Sequence, residues 1–278
     1  MQTRKMKHLE VPVIGLGSAT TFDVGGDAEI ENVRQILGRC NERGAIFVDT
    51  SPMYRRAEQV IGLAMDGKQD RFQLATKVWC SGKQTGIDQM NRSFELLKTD
   101  FIEVMQIHNL LDWETHLPVL EEMKANGRIG LIGATHYAPS ALAELIRTMR
   151  TGRIDVVQIS YNVMEREVED EVVPLAGEMG IGIIVMRPVG QRLLFERLTQ
   201  QPDLTPLKQY GIETWGQALM AWILADARIT TLIPATTRPE RIDENAAVGD
   251  ISIPADAKDY ILQEAQRCLA PGNYSLGP

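Results

Sequence analysis

The chain has 278 residues, enough for one large α/β domain or two small ones. Its formal net charge is −8, from 37 acidic and 29 basic residues, so it lacks the basic excess of a nucleic-acid-binding protein. Cys40, Cys80 and Cys268 follow no CxxC or other ligand spacing, which points to reduced thiols, a cytoplasmic setting and no metal site. The N-terminal MQTRKMKHLEVP carries basic residues with no apolar stretch behind them, so no secretory signal is expected. No apolar run is long enough to span a bilayer.

In chain order, TRKMK and LEV read as a short hairpin ahead of the main fold. VIGLGS is the first strand of a long alternation, followed by a helix over 28–43 with Ile30, Val33, Ile36 and Leu37 on one face. AIFVDT, FQLATK and FIEVMQIH are the next strands, separated by helices expected over 57–64 and 87–97. A helix over 113–125, the strand IGLIGA, a helix over 139–149 and the strand DVVQISY follow. Then come a helix over 168–179, the strand IGIIVM, an irregular stretch over 190–210, a helix over 214–225 and the short strand TTLIP. Helices over 239–247 and 255–268 precede a Gly/Pro-rich loop over 270–278. Eight strands alternating with helices, without a linker or charge run, predict one domain over 1–278. A closed (β/α)8 TIM barrel with an N-terminal β-hairpin is expected, because GLGSAT lacks the third glycine an open dinucleotide-binding sheet would carry.

Three of these strands end in a single titratable group: Asp49, Lys77 and His108. They recur roughly every 30 residues, the length of one strand–helix unit. Barrel active sites gather at the C-terminal strand ends, where these residues and nearby Tyr54 fall. Singly, each has an ordinary structural use, as turn former, solvated charge or bonded histidine. Together they form a proton-delivering set. A tyrosine hydroxyl is a weak acid at neutral pH, and a nearby ammonium is expected to lower its pKa. Tyr54 is therefore the expected general acid, Lys77 its tuner, Asp49 the anchor of Lys77, and His108 the group that orients a carbonyl oxygen.

DTSPMY, ATK and QIHN, in that order, together with the segments from VIGLGS to RIDEN, resemble the aldo-keto reductase family. The resemblance implies a (β/α)8 oxidoreductase that reduces an aldehyde or ketone to an alcohol with a nicotinamide cofactor. It also implies the cofactor contacts. Thr135 and His136 of GATHY stand where many relatives have a Ser-Asn pair on the nicotinamide carboxamide, and Gln158 is the other carboxamide partner. Met186 stands at the ring-stacking position and Arg187 at the one expected to face the pyrophosphate. Ser18, Asp49 and Val189 complete that end, while Thr236, Arg241, Glu244 and Asn245 match positions used for the 2′-phosphate and adenine. Ala235 replaces a lysine of many NADPH-preferring relatives, but Arg241 is retained and Arg238 adds charge, so NADPH is expected, with NADH possible. Leu110, Leu111, Trp113, Thr20, Thr21, Phe22 and Tyr274 are candidate pocket walls for a small carbonyl substrate. Two other readings stand beside the reductase: a nicotinamide-nucleotide-binding redox-sensing subunit with little turnover, and a lyase or isomerase using the Tyr–Lys pair for protons alone.

Overall fold

The sheet is built from near-continuous apolar, β-branched runs, the composition of parallel strands covered on both faces. The computed structural model describes residues 1–272 and Tyr274. Its main sheet has eight parallel strands: β3 (Leu16–Gly17), β4 (Phe47–Asp49), β5 (Gln73–Val78), β6 (Ile102–His108), β7 (Ile129–His136), β8 (Val156–Ser160), β9 (Gly182–Met186) and β10 (Thr231–Leu232). They neighbour one another in chain order, and parallel bridges from Ile14 to Leu232 and from Gly17 to Ala235 join the two edges into a barrel. The first and last strands are shorter than the sequence predicts, because pairing there is by these isolated bridges.

The outer ring comprises α1 (Asp27–Arg43), α2 (Ala57–Met65), α3 (Lys83–Leu97), α4 (Trp113–Ala125), α5 (Leu142–Arg150), α6 (Val172–Met179), α7 (Leu193–Glu196), α8 (Trp215–Leu224), α9 (Glu240–Ala247) and α10 (Ala255–Cys268). Local chemistry sets several ends. Thr214 and Gln217 form a reciprocal capping box at the start of α8, and Gly44 ends α1 at φ 76°. The helix expected to start at residue 87 starts at Lys83. Gly86 inside it is required by packing, since a Cβ there would lie 2.5 Å from the His116 ring of α4. The helices expected over 139–149 and 168–179 each open with a separate single turn before the α-helix proper. Of the loop expected over 270–278, positions 273 and 275–278 lie outside the described residues.

Successive strand residues alternate between two apolar layers, as the strand period requires. Val48, Leu74, Met105, Ile132, Val157 and Ile183 face the helices, while Phe47, Ala75, Val104, Leu131, Val156 and Ile184 fill the barrel. The antiparallel hairpin of β1 (Thr3–Met6) and β2 (Leu9–Pro12) supplies Met6 and Val11 to that inner layer. The N-terminal end is thus plugged by side chains, and only the other end remains for a site. Gly182 makes room for the plug, because a Cβ on it would sit 2.5 Å from Met6 Cγ. Arg4 ties the hairpin to the barrel by donating to the carbonyls of Leu224 and Asp226 at 2.7 and 2.9 Å. Met6→Ala is expected to lower unfolding stability by about 2–4 kcal/mol in urea titration. Gly182→Ala should be destabilising in the wild-type background and distinctly less so with Met6→Ala, so the two effects are non-additive.

Candidate active site

Two residues beyond the apolar inner layer, toward the C-terminal strand ends, the same inward positions turn polar. Asp49 follows Phe47, Lys77 follows Ala75, Gln106 and His108 follow Val104, Thr135 follows Leu131 and Gly133, and Gln158 and Ser160 follow Val156. The registers Lys77 to Gln106, His108 to Thr135 and Thr135 to Gln158 set these groups side by side on neighbouring strands.

At the centre is a buried ion pair. Lys77 Nζ donates to Asp49 Oδ2 at 2.7 Å and to Thr50 O at 2.8 Å, with both charged side chains almost fully buried. Gln106 Nε2 donates to Asp49 Oδ1 at 3.0 Å and Gln158 Nε2 reaches Oδ2 at 3.4 Å. Burial pushes the Asp49 carboxyl up against the pull of Lys77 and the two amides. Burial also opposes the Lys77 charge, yet Asp49, Tyr54 and Glu58 together raise its pKa above the usual lysine value, so the ammonium persists. Gly133 gives Gln106 the space to reach Asp49, since a Cβ at that position would lie 2.6 Å from Gln106 Cγ.

Tyr54 ends a single turn, Pro52–Tyr54, that follows β4 directly. Lys77 Nζ lies 5.3 Å from its ring centroid, and the His108 ring meets it edge-on at 5.7 Å. The expected lowering of the Tyr54 pKa is not the net outcome. Lys77 pulls it down, but burial outweighs that pull and holds the phenol above its ordinary value. His108 moves the opposite way. Burial first, then the charge of Lys77 and the proximity of His136, push it down to about 2, so its imidazole is neutral.

The structure brings the expected nicotinamide groups to the same rim. His136 Nδ1 accepts Ala138 N–H at 3.0 Å, which leaves the proton on Nε2 as a donor. Gln158 Oε1, Ser160 Oγ and Ser18 Oγ are buried and, among the described residues, have no hydrogen-bond partner. A fixed N–H donor and an orphaned buried amide oxygen match the two hydrogen-bonding sides of a primary carboxamide, so the residues present fit a nicotinamide. Met186 ends β9 beside Ser160 and is partly buried against the inner barrel layer, and Val189 follows in the next loop. Arg187, at φ 57°, lies with its guanidinium 4.7 Å over the Tyr137 ring and is attracted by Glu165. That placement is at the His136–Tyr137 side of the rim.

The nucleotide-end candidates lie together elsewhere on the rim. Arg241 pairs with Glu244, which also accepts Thr214 Oγ1 at 2.8 Å. Thr236 Oγ1 accepts Arg238 N–H at 3.1 Å just ahead of α9, the helix that carries Arg241, Glu244 and Asn245. Next to them, between α1 and Thr237, runs a groove of about 310 Å³ lined by Val24, Asn32 and Thr237 among others.

Of the proposed pocket walls, Phe22, Leu110 and Trp113 are packed into the helix-side core. Trp113 Nε1 donates to Glu144 at 2.5 Å, and buried Tyr274 donates to Ala270 O at 2.5 Å. Leu111 is exposed. Trp79, not singled out from the sequence, is exposed with its ring 6.5 Å from His108. Ser51 and Gln106 were also missed. All three stand two residues from a recognised group, Lys77, Asp49 or His108, and continuing the strand alternation finds them.

Residues 13–263 match the Aldo/keto reductase family. The chain is 23% identical to the NADH-specific methylglyoxal reductase of Escherichia coli (strain K12) over 92% of this chain and 93% of that protein. It is 25% identical to the aldo-keto reductase str7 of Strobilurus tenacellus over 98% of this chain and 94% of that protein. The crystal structure of an aldo/keto reductase from Klebsiella pneumoniae in complex with NADP and acetate superposes with a TM-score of 0.78 at 25% identity, covering 91% of this chain and 90% of that one. Because the family match runs through every strand of the barrel, the chain belongs to the aldo/keto reductase family and is an NAD(P)H-dependent oxidoreductase that reduces carbonyl groups.

Proposed function

We propose that the chain, acting as one barrel domain over 1–278 in a cytoplasmic setting, reduces a small aldehyde or α-oxoaldehyde with Tyr54 as general acid. NADPH is the preferred reductant and NADH the alternative. The observation that carries the reading is the Lys77 ammonium, locked by Asp49 at 2.7 Å and facing the Tyr54 ring at 5.3 Å, with His108 on the same ring. The relative named for methylglyoxal reduction supports a small, polar carbonyl, and exposed Trp79 and Leu111 supply apolar wall.

A bound reduced nicotinamide supplies the hydride. The chain's own groups handle the oxygen. Tyr54 and neutral His108 donate hydrogen bonds to the carbonyl oxygen, polarising it and fixing its approach. As negative charge develops there, Tyr54 gives up its proton, and the Lys77 ammonium stabilises the phenolate left behind. Asp49 keeps the ammonium in place and never meets the substrate. His136 Nε2–H and Gln158 Oε1 would hold the carboxamide, Met186 would pack on the ring, and Ser18, Thr135, Arg187 and Val189 would surround it. Thr236, Arg241, Glu244 and Asn245 would hold the adenosine end. The ion pair with Glu244 orients the Arg241 guanidinium, which carries further N–H donors for a 2′-phosphate.

With methylglyoxal, glyceraldehyde and nitrobenzaldehyde as substrates, Tyr54→Phe is expected to lower reduction roughly 10²–10⁴-fold, followed by absorbance of the reduced cofactor, while cofactor affinity stays within about threefold. Cofactor binding without turnover by the wild type across the panel would favour the redox-sensing reading instead. The pH profile has a defined sign. A raised Tyr54 pKa keeps the acid protonated at neutral pH, and a His108 pKa near 2 keeps that ring neutral, so kcat/KM for reduction should be flat over about pH 5–8 and fall only in alkali. At the nucleotide end, Arg241→Ala and Arg238→Ala are each expected to weaken NADPH binding roughly tenfold or more in fluorescence titration, leaving NADH within about twofold.

A further inference from the structure

We propose that Ser51 is a positioning residue that fixes both proton donors of the site: its hydroxyl donates to His108 Nδ1, placing the ring proton on Nε2, while its oxygen caps the turn presenting Tyr54. The inference rests on the carbonyl-reduction reading and assigns a role to a residue outside the Asp49, Tyr54, Lys77 and His108 set.

The geometry is closed. Ser51 Oγ lies 2.8 Å from His108 Nδ1 and accepts Met53 N–H at 3.1 Å. Tyr54 N–H donates to Ser51 O at 2.9 Å. Ser51 is completely buried, and His108 nearly so. Proton accounting then selects one arrangement. A serine hydroxyl has one proton and two lone pairs. With the ring proton on Nδ1, Ser51 Oγ would accept both Met53 N–H and Nδ1–H, and its own buried proton would have no acceptor among the described residues. Such an orphan donor costs about 1–3 kcal/mol. A doubly protonated ring is excluded by burial beside Lys77. The remaining arrangement, Ser51 O–H to Nδ1 with Nε2–H pointing away from Ser51, satisfies both the Ser51 hydroxyl and His108 Nδ1. The His108 ring packs against the Tyr54 ring at 5.7 Å, nearly perpendicular to it, so the two donors are neighbours.

Ser51 stands two residues beyond Asp49 and directly precedes Pro52 of the Tyr54 turn. One hydroxyl thereby links a histidine tautomer to the position of a tyrosine. A residue that acted only as a turn cap would alter stability without touching the tautomer.

The test is nitrogen NMR of the protein labelled at histidine ring nitrogens, with and without NADPH. The chain has four histidines, so His108→Asn suffices to assign the His108 pair. The wild type should show His108 Nε2 protonated and Nδ1 as a bare acceptor. Ser51→Ala should populate the Nδ1–H tautomer and lower kcat roughly 10–100-fold with KM changed less than about threefold. Ser51→Thr should restore both. A wild-type His108 protonated at Nδ1 overturns the proposal, and that measurement stands even where Ser51→Ala does not fold. So does a folded Ser51→Ala that keeps the wild-type tautomer and kcat. Failure of the wild type to reduce any carbonyl in the panel sinks the functional reading instead, and the ring-nitrogen spectrum still decides the tautomer.

Discussion

A charged lysine and a charged aspartate share the interior of this barrel with almost no access to water. Two ions moved out of water lose several kcal/mol of solvation each, and their attraction offsets this only when the remaining lone pairs and protons are also satisfied. The barrel meets the condition through adjacent strands. β4 and β5 bring Asp49 and Lys77 together, β6 and β8 send Gln106 and Gln158 to the carboxylate, and the Thr50 carbonyl accepts a second ammonium proton. The absence of a side chain at Gly133 is part of the same solution, because it lets Gln106 through. The apolar plug beneath, with Met6 and Val11, closes the other end and leaves the charges exposed to chemistry from one direction.

That fixed positive charge lowers the pKa of both its neighbours, working against burial at Tyr54 and with burial at His108. Because burial dominates at Tyr54, the resting site holds one cation and two neutral donors. A neutral donor is the useful state for meeting an oxygen that becomes negative during the reaction. The stabilisation is already oriented, and the ammonium's effect on Tyr54 grows in value at the moment the phenol loses its proton.

The architecture and the strand-end residues Asp49, Lys77 and His108 were legible because they follow from periodicity: apolar runs of strand length, each closed by one titratable group, recurring at the length of a strand–helix unit. Ser51, Gln106 and Trp79 obey the same two-residue alternation but carry no group that titrates in the ordinary range, so a pattern of titratable strand ends does not mark them. The sign of the Tyr54 shift was not legible at all. It depends on how completely neighbouring strands exclude water, a property of assembly and not of spacing. The start of α3 was hidden for a related reason, since Gly86 reads as a helix breaker until the His116 ring that requires it is in place.

His136 shows how the cofactor half of the site departs from the expected pattern without losing its chemistry. A side-chain amide offers a donor in a known direction; an imidazole offers one only if its tautomer is set. Ala138 N–H sets it by occupying Nδ1, as the Ser51 hydroxyl does for His108. Both rings then carry their proton on Nε2, and both have lowered pKa values with burial as the leading cause. Two imidazoles close enough to influence each other, beside a buried ammonium, can coexist only as neutral rings. The same water exclusion that makes the Lys77–Asp49 pair costly therefore makes two histidines dependable donors, and each needs a donor of its own at Nδ1 to be aimed.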